Sequence, residues 1–133
     1  MILPLRKTDP RAEHRLRESQ RVTDSVRLAE KFPKLKSLTL DLSYYDPEGM
    51  SRAGEVKYKV NVEHAKSVFS FACQSSECVA GSFDLSDVVT EAITQRRKSA
   101  QGEIRCPGTR ERPRVGHRPC LNLLRYKLTL AYV

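Results

Sequence analysis

The sequence predicts an α+β domain with an antiparallel sheet of four or five strands, one packed helix, an N-terminal helix and a four-cysteine clamp. Three observations carry this reading. Apolar residues alternate at Leu38, Leu40, Leu42 and Tyr44, and again at Leu124, Tyr126, Leu128, Leu130 and Tyr132, as in strands with one buried face. Leu85, Val88, Val89, Ala92 and Ile93 recur at helical spacing and mark one amphipathic helix. The chain's four cysteines fall at the predicted ends of elements.

Taken in order, DPRAEHRLRESQRVTDSVRLAEKF is rich in helix formers, with Asp9 as a cap before Pro10. Its apolar stripe is only Leu16, Val22, Val26 and Ala29, so this helix is expected to dock weakly or to swap onto a neighbour. SLTLDLSY and VKYKVNV follow as two strands, the second with Val56, Tyr58, Val60 and Val62 on one face. Between them Pro47, Gly49 and Gly54 predict a hairpin loop longer than a tight turn. SVFSFAC reads as a third strand of the sheet. The helix at 84–98 has Asp84 or Ser86 to accept backbone N–H groups at its start and Arg96, Arg97 and Lys98 near its end. RCPGTRERPRVGHRPC mixes Arg, Pro and Gly and reads as a long loop, after which LLRYKLTLAYV forms the last strand.

A chain of 133 residues, 39% hydrophobic, closes one modest core. The division expected is a basic helical segment at 1–34 and a single α+β domain, zinc-stabilised on the argument below, at 35–133. The net charge of +8 excludes an acidic buffer-like protein and admits an anionic partner. Pro4 and the charges after it leave no apolar leader core, and no later run approaches a membrane span, so the protein is read as soluble and cytoplasmic. Cysteines in that reducing compartment are better explained by metal or redox chemistry than by permanent disulfides.

Cys73 closes the third strand, Cys78 precedes the helix, Cys106 follows GEIR, and Cys120 precedes the last strand. Tetrahedral Zn²⁺ needs four deprotonated soft ligands arriving from different directions, and two loop-borne pairs supply them. Buried free thiols and a disulfide framework are the alternatives, since free cysteine is among the most buried residue types. His117, three residues before Cys120, is an alternative fourth ligand. In its ligand order, residues 71–121 resemble zinc-ribbon-like proteins, in which two cysteine-bearing turns at strand ends clamp one structural zinc. Gly81 and Gly108 stand near the cysteines as glycines do in such knuckles, although both pair spacings are longer than C-x-x-C. The resemblance implies that Cys73, Cys78, Cys106 and Cys120 are structural ligands and nothing more.

Catalytic signatures are missing from the sequence. VEHAK places its glutamate on the wrong side of His64 for a deaminase, Pro119-Cys120 lacks a second cysteine three residues on, and no H-E-x-x-H, P-loop or G-x-G-x-x-G occurs. A Cys120–His117 pair is conceivable, but sequence neighbours argue poorly for catalytic geometry.

Charge is uneven: residues 96–118 carry eight basic and two acidic side chains, whereas residues 35–95 carry five and nine. Two surfaces could meet phosphate. One is the basic loop with Arg110, Arg112 and Arg114, which has no aromatic residue for base stacking. The other is a stripe of Lys57, Lys59, Arg125 and Lys127, formed if strands 56–62 and 124–132 lie side by side; an ordinary solvated sheet face would look the same. The reading is a noncatalytic zinc-binding module contacting RNA, DNA or an acidic protein. Its alternatives are a scaffold subunit with structural zinc and a zinc-dependent hydrolase-like enzyme with an open coordination position.

Overall fold

The computed structural model describes residues 10–75, 77–112 and 116–133; of residues 10, 111, 112, 116 and 117 it describes the backbone alone. In chain order the elements are α1 (Pro10–Asp24), α2 (Leu28–Lys31), β1 (Leu35–Tyr45), β2 (Arg52–Val60), β3 (Ser70–Ala72), β4 (Cys78–Val79), β5 (Ser82–Asp84), α3 (Ser86–Thr94), β6 (Ser99–Arg105), β7 (Thr109–Arg112), β8 (Gly116–Pro119) and β9 (Leu123–Tyr132). The fold is α+β, and its main sheet is antiparallel with strand order β2-β1-β9-β6.

Register turns the predicted alternation into a core. Leu40 stands opposite Tyr58 on one side and Leu128 on the other, and Leu42 opposite Val56 and Tyr126. With Leu38, Tyr44, Leu124 and Leu130 they line one face, where Phe83, Leu85, Val89, Ala92 and Ile93 from β5 and α3 pack into the same core. Fully burying one such leucine contributes about 2 kcal/mol, so this face is the main source of cohesion. Gly102 of β6 leaves room for Tyr126, its cross-strand partner, whose hydroxyl would lie 2.6 Å from any Cβ built there.

Helix α3 is shorter than the predicted 84–98, and its ends explain why. Asp84 Oδ1 accepts the Ser86 N–H at 2.9 Å at the start. At the finish the Arg96 N–H bonds to the Ile93 carbonyl and the Arg97 N–H to the Ala92 carbonyl, both at 2.9 Å, with Arg96 in the left-handed region at φ 53°. This double closure is the usual glycine-type helix stop, made here by an arginine. The Arg96 guanidinium lies 5.0 Å from the centre of the Tyr132 ring, and the Tyr132 hydroxyl donates to the Arg97 carbonyl at 2.7 Å.

Four expectations need correction. Segment 67–73 does not join the main sheet; Leu85 and Ser86 capture Phe69 through its carbonyl (2.7 Å) and N–H (2.8 Å), so only Ser70–Ala72 is extended, paired with β5. The stretch 96–118 is not a loop. It holds β6, whose inward residues Ala100, Gly102 and Ile104 include just one large apolar side chain, too few to give an apolar signal, and the β7–β8 ribbon, built on backbone pairing that leaves no apolar alternation. Strands β2 and β9 are not neighbours, because β1 lies between them and places Asp41 opposite both Lys57 and Lys127. Finally, the N-terminal helix is broken, since the Leu28 N–H bonds to the Ala65 carbonyl and the Ser67 N–H to the Val26 carbonyl, pulling Arg27 into a bridge with Lys66.

That break changes what anchors the N-terminus. Leu16 and Val26 of the expected stripe are 71% and 51% exposed, whereas Leu28 is 1% exposed in the core. Helix α1 is instead tied by polar contacts, among them Arg21 to Asp84 at 2.6 Å. Burial works to raise the Asp84 carboxyl, but hydrogen bonds from Ser86 and the Arg21 charge outweigh it and hold the pKa below its ordinary value. The tie is therefore complete above the ordinary carboxylate range and lost as pH falls through the depressed value. We predict that Leu28→Ala costs about 3 kcal/mol in urea unfolding while Leu16→Ala stays within about 0.5 kcal/mol. Equal effects would mean that α1 does bury its stripe.

Candidate metal centre

Three short strands and the end of β6 bring the cysteines together. Cys73 follows β3, Cys78 opens β4, Cys106 follows β6, and Cys120 follows β8. Backbone bonds close each of the two cysteine-bearing turns on itself: the Cys73 N–H to the Gly81 carbonyl (3.1 Å) in the first, and the Cys106 N–H to the Asn122 carbonyl (2.8 Å) and the Cys120 N–H to the Gly108 carbonyl (2.9 Å) in the second. Cys78 pairs with Arg110 across β4 and β7 in a three-stranded sheet ordered β4-β7-β8. Ala80 and Leu121, neighbours of these turns, hold positive φ values of 56° and 54°. Such backbone costs on the order of 1 kcal/mol per residue and persists only where its surroundings over-determine it.

All four Sγ atoms lie within 4.8 Å of one another. The close pairs are Cys73–Cys120 at 3.7 Å and Cys78–Cys106 at 3.6 Å, each joining one turn to the other. A disulfide would need about 2.05 Å; the four are free thiols. Zn–S bonds of about 2.3 Å arranged tetrahedrally set sulfurs about 3.8 Å apart. Cys78, Cys106 and Cys120 are 7%, 1% and 1% exposed, and Cys73 is half-buried.

The surroundings fit a metal in three further ways. Backbone packs directly on sulfur: a Cβ at Gly81 would lie 2.1 Å from Cys78 Sγ and 2.6 Å from Cys106 Sγ, and one at Gly108 would lie 2.6 Å from Cys78 Sγ. The donors aimed at sulfur include the Gly108 N–H on Cys106 (3.3 Å) and Asn122 Nδ2 on Cys73 (3.6 Å). Arg110 Nη2 donates to Asn122 Oδ1, and its guanidinium faces the Cys120 thiol, which raises the Arg110 pKa, yet its Nε–H is buried without an acceptor.

The thiols do not titrate alike. A hydrogen bond from Cys106, opposed by burial and aided by the Ser75 N–H and Cys120, brings Cys73 down to about 5. Burial pushes Cys78 up to about 12, and the bond to Cys73 together with burial pushes Cys106 up. One thiolate is easily held and further ones are opposed, so four thiolates need a cation among them. On its α1 side the centre borders a cavity of about 150 Å³ lined by His14, Arg11, Cys73 and Gly81 among others. His14 Nε2 is buried there without a partner, and Arg11 Nε donates to the Cys78 carbonyl at 3.2 Å.

The cysteines predicted as ligands thus converge. The residues predicted to bind anions lie on the two surfaces the sequence separates, and on each a described arginine is engaged with another partner. Lys57, Lys59, Arg125 and Lys127 share the open face of the main sheet, but Asp41 separates Lys57 from Lys127, and Arg125 pairs with Glu103 at 3.4 Å while lying over the Tyr45 ring. Arg110 belongs to the cysteine centre. Arg114 lies outside the described residues, as do the side chains of Arg112 and His117. Asn122 and the contacts of Arg110 and His14 escaped the sequence reading because no spacing announces them.

We predict that Gly81→Ala or Gly108→Ala prevents the four sulfurs from assembling, seen as loss of near-UV dichroism and of metal uptake. Gly54→Ala, with nothing within 4 Å of the added carbon, is the control and changes neither. A Gly81→Ala protein that behaves like the parent would contradict this packing.

No protein-family model, curated protein or solved structure matches the chain, so the site rests on its own geometry.

Proposed function

We propose that the chain is a noncatalytic module, zinc-ribbon-like in its ligand order, whose fold is locked by one Zn²⁺ on Cys73, Cys78, Cys106 and Cys120, and which meets RNA or DNA through its basic ribbon. The observation that carries the metal reading is the set of four sulfurs within 4.8 Å of one another, reached from two turns. Soft thiolates in a tetrahedral set favour zinc, and thiolate–zinc bonding contributes folding free energy directly. Four protein sulfurs fill a tetrahedral shell, which argues for a structural role and against a hydrolase needing an open position.

The partner reading draws on charge. Residues 96–118 hold eight basic and two acidic side chains, and the β7–β8 ribbon carries Arg112 and Arg118, with Arg114 in the sequence between its strands. Arg118 is exposed. The sheet face is a poorer phosphate surface because Asp41, Glu55 and Glu103 are interleaved with its lysines and arginine. Without an aromatic residue on the ribbon, binding is to backbone phosphate and is indifferent to sequence.

Two measurements test this. Elemental analysis should give one zinc per chain, with Cys120→Ser weakening it more than His117→Ala; the reverse order would move the fourth ligand to His117. Affinity for short RNA or DNA should fall log-linearly with salt, and Arg112→Ala with Arg114→Ala should flatten the slope more than Lys57→Ala with Lys127→Ala. No binding at low salt would overturn the nucleic-acid reading and leave the scaffold reading as the better one.

A further inference from the structure

We infer that Arg110 is a positioning residue of the metal centre, the cation that offsets its thiolates, and that it does not belong to the phosphate-binding set. This inference rests on the metal reading above.

Four thiolates around one divalent ion leave two negative charges, here with three of the four sulfurs at most 7% exposed. Excess charge so placed is costly unless donors and an opposite charge surround it. Gly108 and Asn122 supply neutral N–H groups to Cys106 and Cys73. Arg110 adds the charge. It sits on β7 directly opposite Cys78, so the strand pairing that delivers Cys78 also fixes the arginine. Its Nη2 holds Asn122 Oδ1, which turns the amide nitrogen of Asn122 toward Cys73 Sγ, while the guanidinium faces Cys120. One side chain therefore acts on one cysteine from each turn.

The buried, unpaired Nε–H fits the same role. A neutral thiol is a weak acceptor and a thiolate a strong one, so a donor that lacks an acceptor among thiols acquires one when the sulfurs are ionised by metal. Arg11, also beside the centre, gives its Nε–H to the Cys78 carbonyl. Arg110 is partly buried with its guanidinium engaged at the cysteine centre, whereas Arg118 on the same ribbon is exposed.

The test compares the zinc-loaded parent with Arg110→Ala, Arg110→Lys and Arg118→Ala in chelator competition, and the Co²⁺-substituted proteins in thiolate-to-metal charge-transfer absorption. Arg110→Ala should lower metal affinity about 10- to 100-fold, as loss of an outer-sphere partner does, and shift the charge-transfer band to lower energy because the sulfur lone pairs lose stabilisation. Arg110→Lys, which keeps the charge, should restore part of the affinity, and Arg118→Ala should match the parent. If Arg110→Ala does not fold, Arg110→Lys carries the spectroscopic test through its own band shift. A parent that binds zinc and Arg110 variants that leave affinity and band unchanged would overturn this inference alone. A parent that takes up no metal would overturn it together with the metal reading.

Discussion

The interaction on which the rest depends is the convergence of four sulfurs from two turns built on very short strands. Strands β3, β4, β5, β7 and β8 contain between two and four residues each. Isolated ribbons of that length are not stable in water. What holds them is their attachment at the cysteines: Cys78 to the β4–β7 pairing, Cys73 to β3 and β5 through Gly81, and Cys106 and Cys120 to the ends of β6 and β8. The glycines at 81 and 108 are what let backbone approach sulfur this closely.

The centre and the main sheet are continuous. Cys78, Cys106 and Cys120 belong to the same buried cluster as Leu42, Tyr44, Phe83 and Leu124. Asn122 accepts the Cys106 N–H through its carbonyl immediately before Leu123 opens β9, the strand that pairs with both β1 and β6. The cysteine centre and the entry of β9, one of the two inner strands, are therefore built from the same residues, and a metal held there would fix both. A change at either end is felt at the other, which is how a chain with one modest core specifies a long irregular region.

How much of this the sequence discloses depends on whether side chains or backbone do the work. The strands β1 and β9 and the buried face of α3 were legible because Leu38, Leu40, Leu42, Leu124, Leu128, Val89 and Ile93 obey the period of their elements. The cysteines were legible as a set because they mark element ends. Strand β6 was not, since Gly102 takes its place by yielding space to Tyr126 and contributes no apolar signal. The β7–β8 ribbon was hidden for a related reason: its pairing is between backbone groups, and its Arg, Pro and Gly content reads as loop. Nor does spacing reveal Arg110. Only the pairing of Cys78 with Arg110 turns an apparent surface charge into a neighbour of the cysteine sulfurs.

The metal centre we propose is one ion among four sulfurs that closes this region. Zinc-edge X-ray absorption on the purified protein measures that shell directly. Four sulfur scatterers at about 2.3 Å and no nitrogen or oxygen in the first shell are expected. A first shell containing nitrogen or oxygen, or protein that is fully folded and carries no metal, would contradict it.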